Sequence, residues 1–260
     1  MKTSTLPLKR QIRSLLNSGI RQLMHLKYPH NKGYCNICEK QVVFYEAGPW
    51  LRDQYLCNSC YSIPRNRALV QCLNIFYPAW RTAKLHESSP GGPLSDFLKK
   101  SNPNYTASHY YDDVPRGEFK DGYRSEDISA LTLEDNSLDL FVSSDVFEHV
   151  IAPEQAFAQI ARVLKQGGAH IFSMPWYPQQ TTSVARARMA NGKIENLQEP
   201  VYHGNPISEE GSLVTTDWVR DFCDIIYKAS GLYTTIYLEK NRQLGIDGQF
   251  LEIFVSVKTG

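Results

Sequence analysis

The stretch from Leu138 to Met174 constrains the fold most. Leu140, Phe141 and Val142 form a short apolar run between polar residues, the pattern of a strand buried on both faces. Ser143, Ser144 and Asp145 follow at its end. Phe157, Ile160, Ala161 and Leu164 then recur at spacings of three and four, which predicts an amphipathic helix. Pro153 suits the first turn of that helix and Gly167-Gly168 its C-terminal cap. Ala169 to Met174 is a second apolar strand. Strand, helix, strand predicts a right-handed parallel crossover, and with it an α/β sheet.

The 260 residues, 42% of them hydrophobic, suffice for one full core plus a small satellite unit. The net charge of +1 lends no support to nucleic-acid binding through overall charge. No apolar run approaches the ~20 residues that span a bilayer. No apolar segment follows the basic N-terminus as it would in a signal peptide.

Residues 1–32 contain no acidic residue, and Ile12, Leu15, Leu16, Ile20, Leu23 and Met24 follow helical spacing. This predicts a basic amphipathic helix packed on the body with a solvated cationic face. Peripheral contact with an anionic membrane, binding of RNA phosphates and an organelle-targeting role stand beside that reading.

Cys35 and Cys38, then Cys57 and Cys60, form two CxxC pairs with eighteen residues between them. Paired knuckles at this spacing predict four thiolates around a structural Zn2+, a small zinc ribbon. Four protein ligands leave no open position, so this metal would not catalyse. Cys72 and Cys223 lie in apolar contexts and are expected to be buried thiols. Such cysteine usage points to a reducing, cytoplasmic compartment. Arg65 and Arg67, just past the second knuckle, are expected to pin the ribbon to carboxylates or carbonyls, or to clamp an anion.

Asp139, Asp145, Glu148, His149, the run Arg162-Val163-Leu164-Lys165 and Gly167-Gly168 together resemble the class I S-adenosylmethionine-dependent methyltransferases, type 11-like. The resemblance covers roughly residues 80–258. It implies a Rossmann-like, seven-stranded, mostly parallel sheet with helices on both faces. The expected organisation is a basic helix over residues 1–32, a zinc ribbon and connecting helix over 33–78, and the methyltransferase domain over 79–260.

The resemblance also assigns a cofactor site. Lys84 to Gly92 is the first strand and its loop, with Glu87 in the family's acidic position. The family's three loop glycines are reduced to Gly91 and Gly92, beside Ser88 and Ser89. Tyr105 to His109 is the second strand, where Ser108 and His109 stand near the ribose position. The family carries an acid there; a neutral imidazole accepts one hydrogen bond but not two, and Asp112 and Asp113 lie close by. Asp127 takes the place that reaches the adenine amino group, Ile128 supplies backbone to the ring edge, and Ser144 and Asp145 close the site.

The long polar segment Pro175 to Val214 carries Tyr202, His203 and Asn205, and should line the acceptor side of the crevice, across from Asp145. His203 is the candidate general base, with Tyr202 beside it; the plain alternative is that both only pin the loop. His149 is expected to make a hydrogen bond within the fold. The expected activity is methyl transfer from S-adenosylmethionine to an oxygen or nitrogen nucleophile of a small molecule or saccharide. An RNA methyltransferase, and a non-catalytic zinc-ribbon binding module on a degenerate scaffold, are the competing readings.

Overall fold

The computed structural model describes residues 23–205 and 208–259. The basic helix expected over residues 1–32 therefore lies mostly outside the described residues. Its described end is a short 3-10 turn, Met24–Lys27, followed directly by β1 (His30–Cys35). β1, β2 (Lys40–Glu46) and β3 (Tyr55–Cys57) form a three-stranded antiparallel sheet, with a short helix α1 (Leu51–Gln54) before β3. Helix α2 (Pro64–Phe76) leads from the ribbon to the main sheet, with Pro64 in its first turn where a missing N–H costs nothing.

The main sheet is built from β4 (Leu85–Ser88), β5 (Tyr105–His109), β6 (Phe119–Lys120), β7 (Tyr123–Ser125), β8 (Leu138–Ser144), β9 (Leu164–Ser173), β17 (Tyr233–Tyr237) and β18 (Ile253–Val257). Its order is β17-β18-β9-β8-β4-β5-β7-β6. The block from β9 to β7 is parallel, and both edges are antiparallel. The count is eight rather than the expected seven, because the two-residue β6 adds a hairpin edge beside β7. From β4 the chain runs one way through β5 and β7, then returns to lay β8 on the other side. The ends of β4 and β8 are therefore the topological switch point where open α/β sheets bind ligands.

Strand alternation feeds two cores. Leu140, Val142, Ile171 and Val255 face α2, α3 (Gly92–Ser101) and the ribbon. Phe141, Phe172 and Phe254 face α4 (Pro153–Val163) and α5 (Phe222–Ser230). The ribbon's Cys35, Phe44 and Tyr55 belong to the first of these cores, so ribbon and sheet share buried surface.

The glycine pair expected to cap α4 does something else. The helix ends at Val163, and Gly167 and Gly168 lie within β9, where its register against β8 shifts between Leu138 and Leu140. Gly167 has φ +76, and a Cβ on Gly168 would lie 2.9 Å from the Asp139 carbonyl oxygen. Close approach of two backbones, not a helix end, requires the glycines here.

Between β9 and α5 the chain forms β10 (Trp176–Tyr177), β11 (Val184–Ala185), β12 (Ala187–Ala190), β13 (Lys193–Asn196), β14 (Tyr202–Asn205), β15 (Ser208–Leu213) and β16 (Thr216–Val219). β12–β13 and β14–β15 are hairpins, and β10-β16-β11 is a small sheet. α5 starts only at Phe222, because residues 216–219 are drawn into that sheet and Asp217 pairs with Arg186 at 2.8 Å. Gly231, with φ +71, ends α5 in the left-handed conformation that glycine favours. The segment between β17 and β18 crosses onto the ribbon, where Gly245, at φ +66, packs against the Phe44 ring.

Candidate active site

The glycine loop leaves β4 at Ser88 and is tied to β5 by a bond from the Ser89 N–H to the Ser108 carbonyl at 2.8 Å. Ser89 adopts φ 55, a left-handed conformation that favours glycine, at a position where the resembled family has one. Gly91 and Gly92 are exposed, and Gly92 has open space on its Cβ side. A ligand can thus approach this backbone closely, which fits the adenosyl cofactor expected here.

Several predicted cofactor residues are placed at this edge but turned inward. Glu87 is 3% exposed and accepts hydrogen bonds from Tyr105 Oη at 2.5 Å and Ser95 Oγ at 2.8 Å. It braces the loop from beneath rather than reaching into the crevice. Burial pushes its carboxyl up to about 7, against the pull of those two hydroxyls. Ser108 Oγ bonds His86 Nε2 at 2.9 Å and is buried. His109 is buried at the end of β5 with its ring edge-on to Tyr123 at 4.8 Å, and burial lowers its pKa. Asp112 is exposed, and Asp113 pairs with Lys120 at 2.7 Å. Asp127 follows β7; its Oδ1 accepts from the Ser129 N–H at 2.8 Å, while Ile128 is in the core. Ser144 Oγ bonds Ser173 Oγ at 3.0 Å.

Asp145, with φ 54, ends the β8 edge in an ion-pair cluster. Arg52 Nη2 donates to both its oxygens at 2.7 and 2.8 Å, Arg65 Nε lies at 3.1 Å, and Ser173 Oγ donates at 3.2 Å. Burial raises its pKa, but the two guanidiniums outweigh that and hold it below the usual carboxylate range. Arg52 is itself 6% exposed. Asp145 is thus committed to the ribbon. Arg65 acts as the pin that the sequence suggests, while Arg67 binds carbonyls of the ribbon and of the segment that crosses it.

The four ribbon cysteines converge. Cys35 Sγ lies 3.8 Å from Cys60 Sγ, and Cys38 Sγ 3.5 Å from Cys57 Sγ. Tetrahedral thiolates around zinc stand about 3.8 Å apart, given Zn–S near 2.3 Å. Hydrogen bonds from the neighbouring thiols lower the pKa of Cys35. Arg67, 0% exposed, donates to the carbonyls of Tyr55 at 2.7 Å and Gly245 at 2.6 Å and also to that of Ser62. No carboxylate pairs with it among the described residues.

Beyond Asp145 a short turn, Phe147–His149, carries Glu148 into a cavity of about 270 Å³. Tyr177, Arg186, His203, Thr216 and Asp217 also line it. Burial, then the charge of Asp145, pushes the Glu148 carboxyl well above its ordinary value. Of the predicted acceptor-side trio, His203 turns into this cavity. Tyr202 is 57% exposed and does not line it, as strand alternation in β14 dictates, and Asn205 bonds Ser212 Oγ at 2.9 Å. His149 makes the hydrogen bond expected of it, through Nδ1 to the Leu213 carbonyl at 2.9 Å.

Sequence reasoning did not pick out Glu148 or Arg52 as site residues. A signal existed for the first: Asp145, Glu148 and His149 are spaced i, i+3, i+4 after a strand, which gathers side chains on one side of a turn. For Arg52 there was none, since its partner lies 93 positions away.

Residues 104–172 match a family model described as a methyltransferase domain. No curated protein matches the chain. Among solved structures, an S-adenosylmethionine-dependent methyltransferase from Mesorhizobium loti aligns at 15% identity and TM-score 0.47, over 74% of this chain and 97% of that one. An amino pentose methyltransferase from Micromonospora echinaspora aligns at 14% identity and TM-score 0.44, over 73% and 88%. A 1,6-didemethyltoxoflavin-N1-methyltransferase from Burkholderia thailandensis aligns at 13% identity and TM-score 0.43, over 100% and 94%. The matched segment runs through β5, β7, β8, α4 and most of β9, so it is the centre of the sheet that resembles a methyltransferase domain.

Proposed function

We propose that the protein transfers the methyl group of S-adenosylmethionine to a hydroxyl or amine of a small-molecule or saccharide acceptor seated in the cavity under β14. The observation that carries this reading is the position of that cavity. It opens within a few residues of the end of β8, so it flanks the switch point at which the cofactor would sit. Gly91, Gly92 and the backbone around Ser89 would hold the methionine end of the cofactor, and Asp127 its adenine. Glu87 shapes the loop from below. The cofactor supplies an activated methyl on a sulfonium, so the protein's task is to align acceptor and methyl and to exclude water. His203 sits where it can take a proton from an acceptor hydroxyl, and Tyr177 and Val201 give the cavity an apolar wall.

In the same reading the cysteine ribbon holds a structural zinc. The sulfur spacing fits, and so does charge: four thiolates around a divalent cation carry a net negative charge that balances the buried Arg67. The same reading places the protein in the cytoplasm, where paired CxxC thiols stay available to a metal. Among the described residues no helix is long and apolar enough to cross a membrane.

Calorimetry with S-adenosylhomocysteine tests the cofactor assignment. One equivalent should bind, and Asp127→Ala should weaken it by about 1–3 kcal/mol, the cost of orphaning a buried amino group. Absence of binding to the folded wild type overturns the reading.

A further inference from the structure

Glu148, His149 and His203 converge in a way that methyl transfer alone does not require. Glu148 is 2% exposed, and neither of its carboxylate oxygens has a hydrogen-bond partner among the described residues. A buried carboxylate without a donor is costly unless a cation meets it. His149 Nε2 lies 3.7 Å and His203 Nδ1 3.9 Å from the same oxygen, Oε1. The potential ligand atoms of the three side chains all lie within 4.8 Å of one another.

The tautomer of His149 is decided by geometry. Its Nδ1 faces the Leu213 carbonyl at 2.9 Å, and a carbonyl can only accept. The ring proton therefore sits on Nδ1, and the lone pair on Nε2 points towards Glu148. Metal-ligating histidines are typically held in this manner, the second nitrogen donating to a carbonyl or carboxylate. The turn itself is clamped: the Thr215 N–H donates to the Glu148 carbonyl at 2.7 Å, and Thr215 Oγ1 to the Val150 carbonyl at 2.8 Å. Asp145, on the same side of the turn, does not compete as a ligand, because Arg52 occupies both its oxygens.

The geometry points to a divalent first-row metal ion bound by Glu148, His149 and His203, with its remaining positions open to the cavity. Two imidazoles and one carboxylate suit Mn2+, Fe2+, Co2+, Ni2+ or Zn2+ rather than Ca2+ or Mg2+, which prefer all-oxygen sites. Ligands on one ion at about 2.1 Å stand roughly 3–3.5 Å apart. The observed separations call for only a small closure, which the exposed His203 on its hairpin can make. Three protein ligands leave room for an acceptor oxygen. On the methyl-transfer reading, His203 as a ligand would no longer serve as the base; a hydroxyl bound to the ion would instead release its proton to water more readily, and its oxygen would then take the methyl from the sulfonium, leaving a neutral thioether. That role rests on the proposed function; the metal site does not.

The test uses the full chain with its cysteine cluster loaded with zinc. Mn2+ is titrated and followed by the paramagnetic resonance of the free ion, and Zn2+ is titrated by calorimetry. One equivalent beyond the thiolate-bound metal should bind. Glu148→Gln and the surface variant His203→Ala should each weaken it roughly 10–100-fold, and Tyr202→Phe should leave it unchanged. S-adenosylhomocysteine affinity is measured on the same variants and should be retained, which separates failure of the metal site from failure of the cofactor assignment. Absence of a further equivalent of either ion, or undiminished binding by His203→Ala, overturns the proposal.

Discussion

Glu87 lies under the glycine loop between two hydroxyls, and its protonation is set by where it is buried. Its folded value, about 7, lies above the ordinary carboxylate value. The folded state therefore holds the proton more tightly than the unfolded chain. The associated stability is fully present below about pH 4 and is lost as pH rises through 7. Glu87→Gln, which cannot ionise, should melt close to wild type near pH 5. By pH 8 it should be more stable, by on the order of 2–3 kcal/mol. Thermal melts of both proteins across this range check it; a gap independent of pH would remove Glu87 as the cause. Burial sets the opposite sign for His86 and His170, lowered to about 4 and about 3. Their contribution is lost in acid, as pH falls below about 6.5, so both variants should share it.

At the scale of elements, the segment between β17 and β18 is a strap across the ribbon. Arg67 Nη2 reaches the Gly245 carbonyl at 2.6 Å, and a Cβ on Gly245 would stand 2.5 Å from the Phe44 ring. Phe44 is fully buried and cannot yield. Gly245→Ala combines that clash with a left-handed φ of +66, and should cost about 2–3 kcal/mol, measured as a lower urea midpoint at unchanged m-value. A loss under about 0.5 kcal/mol, the range of ordinary surface changes, would mean the strap is not held as described.

For the molecule as a whole, the ribbon is continuous with the carboxyl edge of the main sheet. It shares a core with the sheet and reaches Asp145 through Arg52 and Arg65. If zinc organises the ribbon, stripping it should not melt a separate unit. Chelation, or Cys57→Ser, should lower the melting temperature of the whole chain in one transition. It should also weaken S-adenosylhomocysteine binding, because the end of β8, beside the glycine loop, loses the ion pairs that anchor it through Asp145. A metal-free protein with unchanged melting and affinity would uncouple ribbon from site.

Local pattern determined much of this protein in advance. Paired CxxC spacing marked the cysteine cluster, apolar runs marked β8 and β9, and helical periodicity marked α4, because each is a property of neighbours along the chain. The first and second strands of the sheet, β4 and β5, were placed only through the family resemblance. What only the tertiary structure decided involves partners far apart in sequence. The arginines on Asp145 come from the ribbon, Gly167 and Gly168 serve a strand approach instead of a helix end, and Tyr202 and His203 part company because adjacent residues of β14 face opposite ways. Periodicity reports which side of an element is apolar; it carries no information on which distant group meets that side. Glu148 shows the difference most plainly: its spacing to His149 was visible in the chain, but its burial and its approach to His203 exist only once β8 and β14 are brought together.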